Sequence, residues 1–199
     1  MGRPIVSRNT LDNPMDVEQQ LAPQIHISDR IVYLSGDVNE HTISQIIAGI
    51  LSLVNHDRKS SITLIVSTYG GAADEMFSLY DIIKYIPCPV HTVGLGKIMS
   101  AGVLLLSAGT KGTRLIGANA RVMIHPIAGG IGGNIFEVQN EAKEYERQQQ
   151  LMESLLLKET KITRTELTTL MHTGHDNYIT AQQAIKLGIV DKIIGSDKK

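Results

Sequence analysis

Three times between residues 31 and 108 the sequence passes from a short strand-like run, through a turn, into a helix with one apolar face. Ile31 to Leu34 is a β-type run closed by Ser35-Gly36, after which Ile43, Ile46, Ile47, Ile50, Leu51 and Val54 recur at helical spacing. The second unit is "ITLIVST", a Gly70-Gly71 turn, and a helix carrying Met76, Leu79, Ile82 and Ile83 on one face that stops before Pro87. The third is "PVHTVGLG" and a helix from about Ser100 to Ala108, with Gly94 and Gly96 expected to turn the chain sharply out of its strand. Strands joined by helices of this length pair in parallel through right-handed crossovers, so the chain is expected to be an α/β fold.

Two further strands, "TRLIG" and "RVMIH", precede a glycine-rich "AGGIGG". Asn134 with Glu137 then makes a capping box for a helix from about 134 to 160. Its first half is so polar that it is expected to stand out from the globule. Thr163 with Glu166, and Thr180 with Gln183, start two more helices, and "GIVDKII" closes as a strand. Residues 1–24 carry Pro4, Pro14 and Pro23 and show no period, which predicts an arm ahead of one domain over 25–199.

Charge and cysteine usage narrow the function classes. Nineteen basic against twenty acidic residues give a net charge of -1, which supplies no field for nucleic acid or an anionic membrane surface. Cys88 is the single cysteine, so neither an internal disulfide nor a cysteine-based zinc site can form. No apolar run approaches the length of a membrane span or resembles a signal peptide. A cytoplasmic chain is expected.

Ser100 is the residue that asks for an explanation, because it places a hydroxyl at the start of the most apolar helix. A serine becomes a nucleophile when a base takes its proton and backbone N–H groups receive the oxyanion. The first amides of a helix lack internal partners, so the N–H of Ala101 is a candidate donor. A helix N-cap is the alternative role for Ser100. Gly70-Gly71 ends another strand of the same sheet, and open α/β sheets build sites beyond carboxyl strand ends. An amide of Gly70 or Gly71 is thus a candidate second donor, and a plain tight turn is the alternative. His125 ends "RVMIH" before Pro126 and is the candidate base, or else a structural histidine. His172 and His175 have ligand-like i, i+3 spacing, but Gly174 interrupts the helix and no third histidine follows, so no metal is expected. Asp176 fits better as the carboxylate that orients His125.

With these three residues in view, the chain resembles the Clp protease proteolytic subunits, the ClpP family of self-compartmentalised serine peptidases. "RIVYLSGDV", "YGGAADEMFSLYDII", "MSAGVLLLSAGTKGTR", "ARVMIHPIAGG" and "TAQQAIKLGIVDKII" fall in the family's order between about residues 25 and 195. The resemblance implies a crotonase-like fold of repeated β-β-α units with a protruding handle. It implies nucleophile, base and acid at Ser100, His125 and Asp176, oxyanion amides at Gly70 and Ala101, and peptide contacts at Gly71, Ile127 and Gly129. No cofactor is implied. Implied partners are further copies of the chain, in stacked seven-membered rings around a chamber, unfolded polypeptide substrates, and a Clp-type AAA+ unfoldase. Thr63 and Ile65 stand where the family carries docking aromatics, Thr68-Tyr69 where it has Ser-Pro, and His175 where it often has an arginine. A non-catalytic ring subunit and a crotonase-type acyl-CoA enzyme are the competing classes.

Overall fold

The computed structural model describes residues 25–26, 29–172 and 175–196. The expected arm over 1–24, the helix break at Gly174 and the last three residues of the expected domain lie outside them. Strands β1 (Ile25–His26), β2 (Ile31–Ser35), β3 (Ile62–Thr68), β4 (Val90–Met99), β5 (Arg114–Ile116) and β8 (Lys192–Ile193) line up in that order in one sheet. Pairing is parallel from β2 to β8, and β1 joins antiparallel. Helices α1 (Glu40–His56), α2 (Ala73–Tyr85) and α3 (Ala101–Ser107) fill the crossovers. The fold is mixed α/β, as the strand-turn-helix units predicted.

Alternation in the strands decides which face the helices cover. Val32, Leu34, Ile62, Leu64 and Val66 are fully buried, as are Ile43, Ile46 and Ile50 of α1 and Leu79 of α2. Tyr33, Ile65, Val93 and Leu115 point to the other face and are half-buried. Every residue of α3 is buried, which explains why its sequence is apolar apart from Ser107, whose hydroxyl donates to the Val103 carbonyl at 2.8 Å.

The sheet forks at β4. Thr92–Gly94 pairs with β5, whereas Lys97–Met99 pairs with β6 (Arg121–Ile124), which in turn pairs antiparallel with β7 (Asn177–Thr180). Against β3 the register slips between Val66 and Thr68, a two-residue step that faces the four-residue step from Gly94 to Ile98. This is a bulge in β4, and Gly96 sits in it at φ 64°. The expectation that Gly94 and Gly96 end the strand is therefore corrected. They bend β4, and it runs on to Met99 because β6 supplies a fresh pairing edge.

Helix α4 (Ile135–Glu159) begins with the expected capping box of Asn134 and Glu137. Its buried residues are Gln148, Met152, Leu156 and Glu159, all in the second half, so the polar first half stands away from the body. The capping boxes at Thr163 and Thr180 start α5 (Arg164–Met171) and α6 (Ala181–Lys186). Among the described residues no helix is long and apolar enough to cross a membrane.

A buried charge cluster fastens the inner end of α4. The Glu159 carboxylate accepts from Tyr80 Oη and pairs with Lys84 Nζ, each at 2.8 Å, while Arg114 donates to the Glu159 carbonyl at 2.8 Å. Arg114, itself buried, also grips Asp191 through Nε at 2.9 Å and Nη2 at 2.6 Å. Burial pushes the Asp191 carboxyl up, but the hydrogen bonds from Arg114 and Gly112 outweigh it and hold the group at about 2.

A carboxyl held below its ordinary 3.8 stabilises the fold fully above that pH and loses the contribution as pH falls from about 4 to about 2. Asp191→Asn is expected to cost about 2 kcal/mol at pH 7, and to remove this part of the acid sensitivity. Urea denaturation of both proteins between pH 2 and 7 checks it; parallel curves contradict it.

Candidate active site

The fork in β4 brings two strand ends together. Met99 is in register with Met123, so Ser100 and His125 each leave the sheet just past a paired position on neighbouring strands. The Ser100 N–H donates to the Met123 carbonyl at 2.9 Å, which ties the elbow to β6. Ser100 adopts φ 53°, ψ -120°, a conformation L residues rarely hold, and its side chain makes no capping bond to α3. Its hydroxyl lies instead 2.8 Å from His125 Nε2. The N-cap alternative therefore does not describe this serine.

Gly70 is needed at the elbow for two reasons. Its φ is 100°, and a Cβ there would fall 2.7 Å from Ser100 Cβ and 3.2 Å from the Ala101 nitrogen. Gly70 and Ala101 thus bring their backbones side by side. The Gly70 N–H is already bonded to Thr68 Oγ1 at 2.9 Å, and the Gly70 carbonyl accepts from Val38. The Gly71 N–H has no partner among the described residues, and Gly71 lines the cavity beside Ser100. Of the two glycines offered as oxyanion donors, geometry favours Gly71 in this conformation; Gly70 would first have to leave Thr68.

A cavity of about 640 Å³ opens over the pair. Ser100, Ala101, His125, Ile127 and Asp176 line it, so the predicted side chains share one space. Asp176 is exposed there, and among the described residues no hydrogen bond or ion pair joins it to His125. Two sites named in the sequence for peptide contact are engaged by α4. The Ile127 N–H donates to Gln149 Oε1 at 2.7 Å, and Tyr145 Oη packs against Gly129, where a Cβ would stand 2.2 Å from it. His172 meets Glu153 at 3.3 Å, and among the described residues no three His, Cys, Asp or Glu side chains gather as metal ligands.

Sequence reasoning missed Asp74, Gln148 and Met152, which also line the cavity. Asp74 reaches it through the Gly70-Gly71 turn that leads into α2, whereas Gln148 and Met152 are brought there by the packing of α4 onto α3. A weak signal existed, since Gln148 and Met152 are four apart on one helical face.

Gly70→Ala is expected to lower stability by about 2 kcal/mol and to slow reaction of Ser100 with a fluorophosphonate. Gly36→Ala is the control, because Gly36 has a similar φ of 95° but nothing within 4 Å of the place its Cβ would take. Equal thermal shifts and equal labelling in the two variants would refute the crowding at Ser100.

Comparison with known proteins gives the chain a family. The Clp protease family model matches residues 17–197. The chain is 34% identical over 173 residues to proteolytic subunit 1 of the ATP-dependent Clp protease of Corynebacterium jeikeium, covering 87% of this chain and 91% of that one. It is 36% identical over 166 residues to subunit 2 of the same organism, covering 83% and 78%. Against subunit 2 of Corynebacterium diphtheriae it is 33% identical over 170 residues, covering 85% and 84%. A family match over nearly the whole chain, on a fold whose strand ends place a serine hydroxyl against an imidazole, establishes that the chain belongs to the Clp protease family.

Proposed function

We propose that the chain is a Clp-type serine endopeptidase subunit that hydrolyses peptide bonds through an acyl-Ser100 intermediate. The observation that carries this reading is the 2.8 Å approach of Ser100 Oγ to His125 Nε2 inside an open cavity. Ser100 attacks the carbonyl carbon while His125 takes its proton, and the C–N bond breaks as His125 returns the proton to the leaving amine. Water then attacks the ester by the same route, releasing the acid and restoring Ser100. The Ala101 N–H, with that of Gly71 or of a released Gly70, receives the developing oxyanion.

Asp176 is the group to accept the free His125 nitrogen and stabilise the imidazolium. The single chain leaves that contact unmade although both residues line the same cavity, so the reading requires Asp176 to move toward the ring. Self-association is part of the reading. Ile135 and Phe136, at the outer end of α4, are 62% and 73% exposed, which suits packing against another copy in stacked seven-membered rings. The relatives are named as subunits of an ATP-dependent Clp protease, and the resemblance to that family adds a Clp-type AAA+ unfoldase and unfolded polypeptide substrates to the reading. The half-buried face bearing Thr63 and Ile65 lends the unfoldase contact less support than the site lends the chemistry. The lone, buried Cys88 supports a cytoplasmic placement.

The unmade His125–Asp176 contact favours one second reading, a ring subunit without activity of its own. A fluorophosphonate probe and a short fluorogenic peptide separate the two, because small substrates need no unfoldase. Wild type is expected to label and to cleave, Ser100→Ala to do neither, and His125→Ala and Asp176→Asn to lose about 10³-fold or more in kcat/KM. An assembled ring that takes no label would establish the inactive subunit instead.

A further inference from the structure

The cavity beside Ser100 has a polar end that the chemistry at the serine does not use. Asp74, in the first turn of α2, and Gln148, in the inner half of α4, both line it. Gln148 is only 8% exposed. Its Nε2 donates to Asp74 Oδ1 at 3.3 Å, which turns its Oε1 away from the carboxylate. Among the described residues neither Gln148 Oε1 nor Asp74 Oδ2 has a hydrogen-bond partner. A buried amide oxygen without a donor is costly, on the order of 1–3 kcal/mol, and native proteins seldom leave one unmet. Met76 and Met152, both buried, add apolar surface to the same lining.

The charges around the cavity point the same way. Its lining holds two carboxylates, Asp74 and Asp176, and no lysine or arginine. Of the nearby cations, Lys97 Nζ lies 4.9 Å over the Tyr69 ring, and Arg147, which is outside the lining and feels the Asp74 charge, is hydrogen-bonded to Glu144 at 2.6 Å and not to Asp74. A ligand that fits has a long apolar stem and several hydrogen-bond donors on a positive end, which describes a lysine or arginine side chain.

We propose that Asp74 and Gln148 form a cation-accepting pocket for the substrate side chain next to the scissile carbonyl, so that the chain cleaves best after basic residues. This rests on Ser100 being the nucleophile. A carbonyl placed at Ser100 Oγ puts its own side chain into the cavity that Ser100 lines, and Met76 and Met152 receive the methylenes. Asp74 and Gln148 are specificity residues and take no part in bond breaking.

The test uses the full chain and two peptidyl diphenyl phosphonates that differ only in carrying lysine or its uncharged counterpart norleucine beside the phosphorus. Ser100 labelling rates are read by intact mass, with a small fluorophosphonate as a probe that does not fill the pocket. The lysine probe is expected to react about tenfold faster than the norleucine probe. Asp74→Asn and Gln148→Leu are expected to bring that ratio toward one, and Asp74→Glu to preserve the preference. Equal or faster reaction of the norleucine probe with wild type overturns the proposal, as does an unchanged ratio in both Asp74→Asn and Gln148→Leu. Labelling by the fluorophosphonate with no reaction of either peptidyl probe also overturns it. Failure of the fluorophosphonate itself removes the serine-peptidase reading, and the pocket assignment with it.

Discussion

Everything at the site depends on one backbone turn, that of Ser100 at φ 53°, ψ -120°. A non-glycine residue in such a region costs about 1–3 kcal/mol, so the surroundings must over-determine it. They do so from three sides. The Ser100 N–H is bonded to Met123 of β6, its carbonyl accepts from Val103 in α3, and Gly70 closes on its Cβ where a side chain would collide. The turn leaves the hydroxyl pointing out of the sheet toward His125 instead of back along α3. Strain is stored at the residue whose orientation matters, and the fork in β4 is what brings the restraining strand within reach.

The α4 side of the cavity is fixed by a different means. Tyr145, Gln148 and Met152 come from α4, a helix whose first half is exposed and whose grip on the body lies at its other end. Glu159 supplies that grip through Tyr80 and Lys84, and Arg114 joins its carbonyl to Asp191 beyond. A carboxylate near a helix C-terminus opposes the helix dipole, so the lysine and the arginine are what make the arrangement stable. The pocket therefore inherits its shape from charges clustered at the inner end of α4, at Glu159.

The repeating units, the helices and their capping boxes were legible because each is a local pattern: periodicity, a cap, a glycine. Ser100 and His125 were legible as strand-end residues. What was hidden is non-local. β7 at Asn177–Thr180 looks like the approach to a capping box and becomes a strand only because β6 offers an edge. Gly94 and Gly96 read as a turn, yet pairing with β6 carries β4 through a bulge. Gly70 and Gly71 are indistinguishable in the sequence; a side-chain bond from the Gly70 N–H to Thr68 Oγ1 separates them. Asp74 looks like an ordinary first-turn acid until Gln148, 74 residues away, meets it.

On the proposed reading, in which a peptide lies beside the segment after His125, the helix that walls the pocket also occupies that edge. Gln149 accepts the Ile127 N–H and donates to Glu153 at 2.7 Å, and Glu153 in turn meets His172. An extended peptide pairing with the segment after His125 must take that N–H from Gln149. Exchanging one hydrogen bond for another changes the balance by only about 1 kcal/mol, so Gln149 yields readily to a strand that offers its own carbonyl. The exchange frees the Gln149 side chain from the segment after His125, while the Gln148 bond to Asp74, the Tyr145 bond to the Gly130 carbonyl and the burial of Met152 still hold this part of α4. On the proposed reading, peptide binding would therefore remove one tie between α4 and the segment after His125 and leave the others in place.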